Sequence, residues 1–181
     1  MIEAFDYGIL EIFQQLQNEL LTSLMKFFTI IGEGGAVWIA VGIVLLFGRQ
    51  TRKYGVMVLF SLLLCLIFGN GVLKHAVARP RPCWRHPEVP MLIAVPTDYS
   101  FPSGHTFASF AASVSLLYWK RKAGLAAFAA AVLIAVSRLY FFVHYPTDIF
   151  AGAVFGTVLA LISIRAVEAM DAWDKKRCGE R

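Results

Sequence analysis

Residues Tyr54 to Leu73 read YGVMVLFSLLLCLIFGNGVL, an uncharged apolar run with Lys53 before it and Lys74 after it. A helix of about 20 residues rises about 30 Å, which is the thickness of a bilayer's hydrocarbon core. Such a run spans a membrane. The whole chain shares its character: of 181 residues, 58% are hydrophobic and only 16% are charged, and the mean hydropathy is +0.64. Soluble domains carry about a quarter charged residues. The length suits one domain, so residues 1–181 are expected to form a single all-α unit, a polytopic membrane helix bundle.

Downstream of this run, apolar stretches over roughly 103–119, 123–142 and 146–168 predict three further spans. Upstream, 20–32 and 34–48 predict two more, although each is short for a bilayer core. Tyr54–Leu73 with its flanks, 54–74, completes six transmembrane helices. Residues 2–20 place Ile2, Phe5, Ile9, Ile12, Phe13, Leu16 and Leu20 at helical spacing, with Glu3, Asp6, Glu11, Gln14, Gln15 and Gln17 opposite, the pattern of an amphipathic helix lying at the interface. The first residues lack a basic segment, so no cleavable signal peptide is expected. Cys65, Cys83 and Cys178 are too scattered for a disulfide framework or a zinc site. Trp38, Trp84, Trp119 and Trp173 stand near run ends, where interfacial anchoring is the expectation. Gly152-x-x-x-Gly156 predicts a close helix contact.

The net charge of +5 reads as membrane topology and not as a nucleic-acid surface. Basic clusters at 49–53, 120–122 and 175–181 follow the second, fourth and sixth runs, which puts them together on the cytoplasmic side. By the same parity the N- and C-termini are cytoplasmic, and the loops after the third and fifth runs face outward. The loop after the third carries Lys74, Arg79, Arg81 and Arg85 against that rule. Binding an anion is a reason to hold them there.

Three polar clusters thus share the outer face: Lys74 with Arg81; Ser103-Gly104-His105; and Arg138, His144 and Asp148. Ionisable groups at membrane depth are functional by default. Arginine and lysine neutralise phosphate, and free N–H groups at a helix start capped by Ser103 add hydrogen bonds to it. Two histidines offer a nucleophile or base and an acid. Asp148, four residues after His144, can hold its Nδ1 and leave Nε2 free.

Lys74-x6-Arg81-Pro82, Pro102-Ser103-Gly104-His105 and Ser137-Arg138-x5-His144-x3-Asp148 together resemble the three-part signature of the type-2 phosphatidic acid phosphatase superfamily, in order and spacing. The hydropathy of the whole chain is similar to that of the small bacterial members. The resemblance implies a multi-pass protein of the bacterial plasma membrane with an extracytoplasmic active site. It also implies hydrolysis of a lipid phosphate or diphosphate without a metal or other cofactor. His144 would form a phosphohistidine, Asp148 would fix its tautomer, and His105 would protonate the leaving oxygen. Lys74, Arg81, Ser103, Gly104 and Arg138 would hold the phosphoryl oxygens. The six-residue gap selects Arg81 over Arg79 as the arginine of the pair. Arg79 and Arg85 become candidates for a second phosphate or for lipid headgroups, which favours undecaprenyl diphosphate over phosphatidylglycerophosphate or phosphatidate. A vanadate haloperoxidase would be larger and soluble. A non-catalytic lipid binder or flippase would need the cations but not His105, His144 and Asp148 at these spacings.

Overall fold

The structure, a computed structural model, describes residues 2–177. Cys178 and the last residues of the basic tail lie outside the described residues. Helix α1 (Ile2–Gln15) is followed by α2 (Glu19–Ile31), a short 3-10 turn at Glu33–Gly35, and α3 (Ala36–Phe47). Next, α4 (Arg52–Cys65) continues through a π-helical stretch, Leu66–Leu73, into α5 (Lys74–Val77). A brief α6 (Pro82–Arg85), then α7 (Gly104–Trp119), α8 (Arg121–Tyr140) and α9 (Pro146–Arg177) complete the described residues, which include no strand.

The bundle has two chemically distinct ends. At one, Lys53 pairs with Asp171 at 3.1 Å, and Tyr54 packs on Trp119 with ring centroids 6.1 Å apart. That end gathers the described basic clusters, as expected. The other end gathers Lys74, the loop from Ala78 to Ser103, the end of α8 and the start of α9.

The run from Arg52, α8 and α9 are each long and apolar enough to cross a membrane; α2 and the segment ending in α3 are so only as a pair, bent by 42°. The 16-residue α7 packs among them. The bend has a local cause. Gly34 and Gly35 take φ of 57° and 70°, a left-handed conformation that glycine adopts without a Cβ clash. The chain therefore kinks there and continues toward the basic end. The 13-residue α2 and 12-residue α3 are each too short to cross a bilayer core alone.

The N-terminal helix lies at the end of Lys74 and His144, where Tyr7 meets Tyr145, and Asp171 near the end of α9 lies at the basic end beside Lys53.

Helix α1 forms as the periodicity predicts, but it docks with part of its polar face inward. Asp6 and Leu10 are fully buried, and Gln14 donates to the carbonyl of Tyr140. Phe5, Ile12 and Leu16 remain exposed. Among the spans, small residues set the packing, since apolar side chains gain little by leaving lipid. A Cβ on Gly156 would sit 2.4 Å from the carbonyl of Phe107, and one on Gly152 3.0 Å from that of Ser103. The predicted small-residue contact is therefore real, and its partner is α7. Hydroxyls also line the interior: Ser163 donates to the carbonyl of Met57 and Ser115 to Ser61. Trp38 is not an interfacial anchor, because it is buried and donates to Ser109 at 2.9 Å.

Candidate active site

The three polar clusters converge. Lys74, Arg81, Gly104, His105, Arg138 and His144 line one cavity of ≈ 880 Å³. Lys74 comes from the end of the π-helical stretch. Gly104 and His105 start α7, and Arg138 sits two residues before the end of α8. His144 follows a sharp turn in which Phe142, itself buried, has a φ of 58°. A left-handed non-glycine residue costs on the order of 1–3 kcal/mol and persists only where its surroundings enforce it. Here the guanidinium of Arg81 grips the carbonyl of Val143 at 2.7 Å, which fixes the turn that presents His144.

Arg81 also donates from Nη1 to His144 Nε2 at 3.0 Å. A guanidinium only donates, so Nε2 carries its lone pair into the cavity and the ring proton resides on Nδ1. The far side of the ring is more elaborate than the sequence suggests. His144 Nδ1 stands 3.7 Å from Asp148 Oδ2, beyond hydrogen-bond length. Ser100 fills the gap: its hydroxyl lies 3.3 Å from Nδ1 and donates to Asp148 Oδ2 at 2.5 Å. The backbone N–H of Tyr145 donates to the same oxygen at 3.0 Å.

Ser103 is fully buried, and its hydroxyl accepts from Thr106 at 3.1 Å. It precedes α7 as expected, though its side chain makes no capping hydrogen bond. Arg138 donates to Thr29, and its Nε is buried without a partner. His105 Nε2 is likewise buried without a hydrogen bond, with Glu33 Oε2 at 3.5 Å.

The cations of the first motif are already occupied. Asp98 bridges them: its carboxylate pairs with Lys74 and accepts from Arg81 Nη2 at 2.7 Å, while its carbonyl accepts from Arg81 Nε at 2.7 Å. Partial burial alone would raise the Asp98 carboxyl. The hydrogen bond from Lys74 and the charges of Arg81 and Lys74 outweigh that effect and pull it from 3.8 down to about 2. No periodicity or motif marks Asp98, Ser100, Thr29 or Glu33 in the sequence. They matter only because the loop and the kink fold back over the cavity.

Arg79 and Arg85 do not reach it. Arg79 binds Asp148 Oδ1 and Asp6 Oδ2, each at 2.6 Å, and Arg85 pairs with Glu3 at 2.8 Å. Neither of these candidates for a second phosphate or for lipid headgroups lines the cavity: each is paired with a carboxylate, and Arg79 holds Asp148.

On its other flank the cavity is apolar, walled by Ile39, Leu59, Leu62, Leu63 and Leu66 from α3 and α4 with its extension. Cations, unpartnered N–H donors and a hydrocarbon wall together define a site for an amphiphile with an anionic head. Among the described residues, no group of three or more His, Cys, Asp or Glu gathers as metal ligands would.

This constellation in a membrane bundle defines a lipid phosphatase. A family model described as PAP2 superfamily matches residues 52–171; the chain belongs to that superfamily. It is 32% identical to an undecaprenyl-diphosphatase of Sulfolobus acidocaldarius over 90% of this chain and 78% of that protein. It is 29% identical to an undecaprenyl-diphosphatase of Bacillus subtilis over 82% of this chain and 76% of that one. A crystal structure of a transmembrane PAP2-type phosphatidylglycerolphosphate phosphatase from Bacillus subtilis superposes with a TM-score of 0.74 at 24% identity, covering 94% of this chain and 86% of that one.

Proposed function

We propose that the protein hydrolyses a polyprenyl diphosphate, undecaprenyl diphosphate foremost, to the polyprenyl phosphate and inorganic phosphate at the extracytoplasmic face of the plasma membrane. The observation that carries this reading is the set of buried polar groups gathered at one cavity. Arg138 Nε and His105 Nε2 have no partner, while Lys74 and Arg81 share a carboxylate that is 54% exposed. Unpartnered buried donors are costly, and a phosphoryl group would satisfy them. The apolar wall suits a prenyl chain, and the two undecaprenyl-diphosphatase relatives support the diphosphate. The basic clusters at the opposite end support an extracytoplasmic site. In that orientation α1 lies outside and the C-terminal end of α9 inside.

Substrate entry displaces the Asp98 carboxylate, and the phosphoryl oxygens take its place on Lys74 and Arg81. Arg138 and the N–H groups of Gly104 and His105 at the start of α7, which Ser103 precedes, complete the cradle. Arg81 transfers its Nη1 bond from His144 to an incoming oxygen, which frees the Nε2 lone pair. Nε2 attacks the terminal phosphorus. As the P–N bond forms, the P–O bond to the polyprenyl phosphate breaks, and His105 gives that oxygen a proton. The positive charge on the His144 ring is stabilised by Asp148, through Ser100 in the resting arrangement. Water then attacks the phosphohistidine, His105 takes its proton, and inorganic phosphate leaves.

Rapid mixing with substrate labelled at the terminal phosphate, in the presence of EDTA, tests this reading. Acid-labile, base-stable label on His144 is expected, with polyprenyl phosphate as the lipid product. Turnover without trapped label would indicate direct attack by water. Activity confined to phosphatidylglycerophosphate or phosphatidate in the same assay would overturn the substrate.

A further inference from the structure

Arg79 is the residue that the cavity leaves unexplained. It is the second cation upstream of Arg81-Pro82, yet its guanidinium turns away from the phosphate seat. Nη1 donates to Asp148 Oδ1 at 2.6 Å and to the hydroxyl of Thr147 at 2.7 Å, and Nη2 donates to Asp6 Oδ2 at 2.6 Å. The ring of Tyr145 lies beneath it, with the guanidinium carbon 3.9 Å from the ring centroid. Asp6 is fully buried and also accepts from the backbone N–H and the hydroxyl of Thr147, at 3.1 and 2.8 Å. Both carboxylates therefore sit on one planar fork, whose orientation is set from below by the aromatic face and from the side by Thr147.

We propose that Asp6, carried on α1, is a positioning residue for the hydrolysis, acting through Arg79 on Asp148 and so on the ring of His144. Asp148 has two oxygens with separate duties: Oδ2 faces Ser100 and His144, and Oδ1 faces Arg79. Arg79 gives each carboxylate one hydrogen bond, from Nη1 to Asp148 Oδ1 and from Nη2 to Asp6 Oδ2, and its rigid planar fork fixes one carboxylate relative to the other where a lysine would supply only a charge. Without Asp6, Arg79 loses the anchor on Nη2 and keeps only those on Nη1, and Asp148 gains freedom to move away from His144. Misplacement of an orienting group lowers the rate of attack without weakening phosphate binding. The match to the family covers residues 52–171, so Asp6 lies outside it, and the N-terminal helix becomes part of the catalytic end and not merely a surface anchor. This inference rests on the role given above to Asp148 and His144.

The test compares Asp6→Asn, Arg79→Lys, the double variant and Glu3→Gln in purified full-length protein. Phosphoenzyme formation, kcat, KM, inhibition by orthovanadate and thermal unfolding are measured on whichever lipid phosphate the unmodified protein turns over fastest. Asp6→Asn is expected to lower kcat and the rate of phosphoenzyme formation on the order of tenfold, as outer-shell partners of catalytic groups commonly do, with KM and orthovanadate inhibition unchanged. Arg79→Lys should act similarly, and the double variant should lose little more than Arg79→Lys alone. Glu3→Gln, on the same helix but paired with the exposed Arg85, should leave kcat as it is. Normal kcat in Asp6→Asn with only a lower unfolding temperature would make Asp6 a packing residue and overturn the proposal. A raised KM at constant kcat would place Arg79 on the substrate and overturn it equally. The phosphoenzyme of the unmodified protein reports separately on the proposed function: if it forms normally while the variants keep full kcat, only the relay fails.

Discussion

Two acidic clamps sit on either side of His144, and they differ in what water can reach. Asp98 grips Lys74 and Arg81 from a loop, with its side chain 54% exposed. Asp6 and Asp148 grip Arg79 with both carboxylates fully buried. Asp98 is the exposed member of these pairs and can return to water, so an anion of higher charge can displace its carboxylate from the buried Lys74 and Arg81. A buried pair resists opening, because removing one partner strands a charge in low dielectric. One clamp is therefore a replaceable occupant of the phosphate seat, and the other is fixed framework behind the nucleophile. The same chemistry serves opposite ends according to burial.

The largest effect should come from the ring that both clamps flank. His144→Ala is expected to lower turnover by at least about three orders of magnitude while orthovanadate still binds. Retained turnover in a single-cycle assay would remove the nucleophile from the scheme. Breaking the buried clamp comes next. Arg79→Met leaves Asp6 and Asp148 facing each other without a cation, and about 3 kcal/mol of stability should be lost, read as a lower midpoint in denaturant. An unchanged midpoint would mean that the two carboxylates find other partners.

The exposed clamp should yield the smallest and most informative change. Asp98→Asn removes the resident anion, so inhibition by inorganic phosphate should strengthen several-fold with little change in kcat. Weaker inhibition would show that Asp98 assists binding. The same clamp has a pH signature. The folded Asp98 carboxyl, at about 2, lies below its ordinary 3.8, so its contribution is fully present above that ordinary value. It is lost as pH falls from about 4 through about 2. Amide exchange around Tyr99 and Ser100 should rise over that window in the unmodified protein and not in Asp98→Asn.

Much of this molecule is written locally. The uncharged run at 54–73, the helical period of residues 2–20 and the spacing of the glycines at 152 and 156 each lie within a few turns of one another, so pattern alone reveals them. The six-residue gap from Lys74 to Arg81, the start of α7 at Gly104 and the four-residue step from His144 to Asp148 are local in the same way. Lys74, Arg81, Gly104 and His144 do converge on one cavity, with Asp148 behind the His144 ring.

What local pattern could not supply is where segments meet that are distant in sequence. Whether Gly32-Glu33-Gly34-Gly35 reverses the chain or only bends it by 42° depends on packing against α7 and α8. That choice decides on which side the N-terminal helix lies. Asp6 and Arg79 are 73 residues apart and Ser100 and Asp148 are 48 apart, and no period or propensity links such partners. By sequence alone, Asp6 belongs to the water-facing side of a surface helix and Arg79 to a spare phosphate contact. Tertiary structure reverses both assignments. A charge on a helix face goes to water or to the interior according to whether a counter-charge waits there, and only the folded chain brings that counter-charge into place.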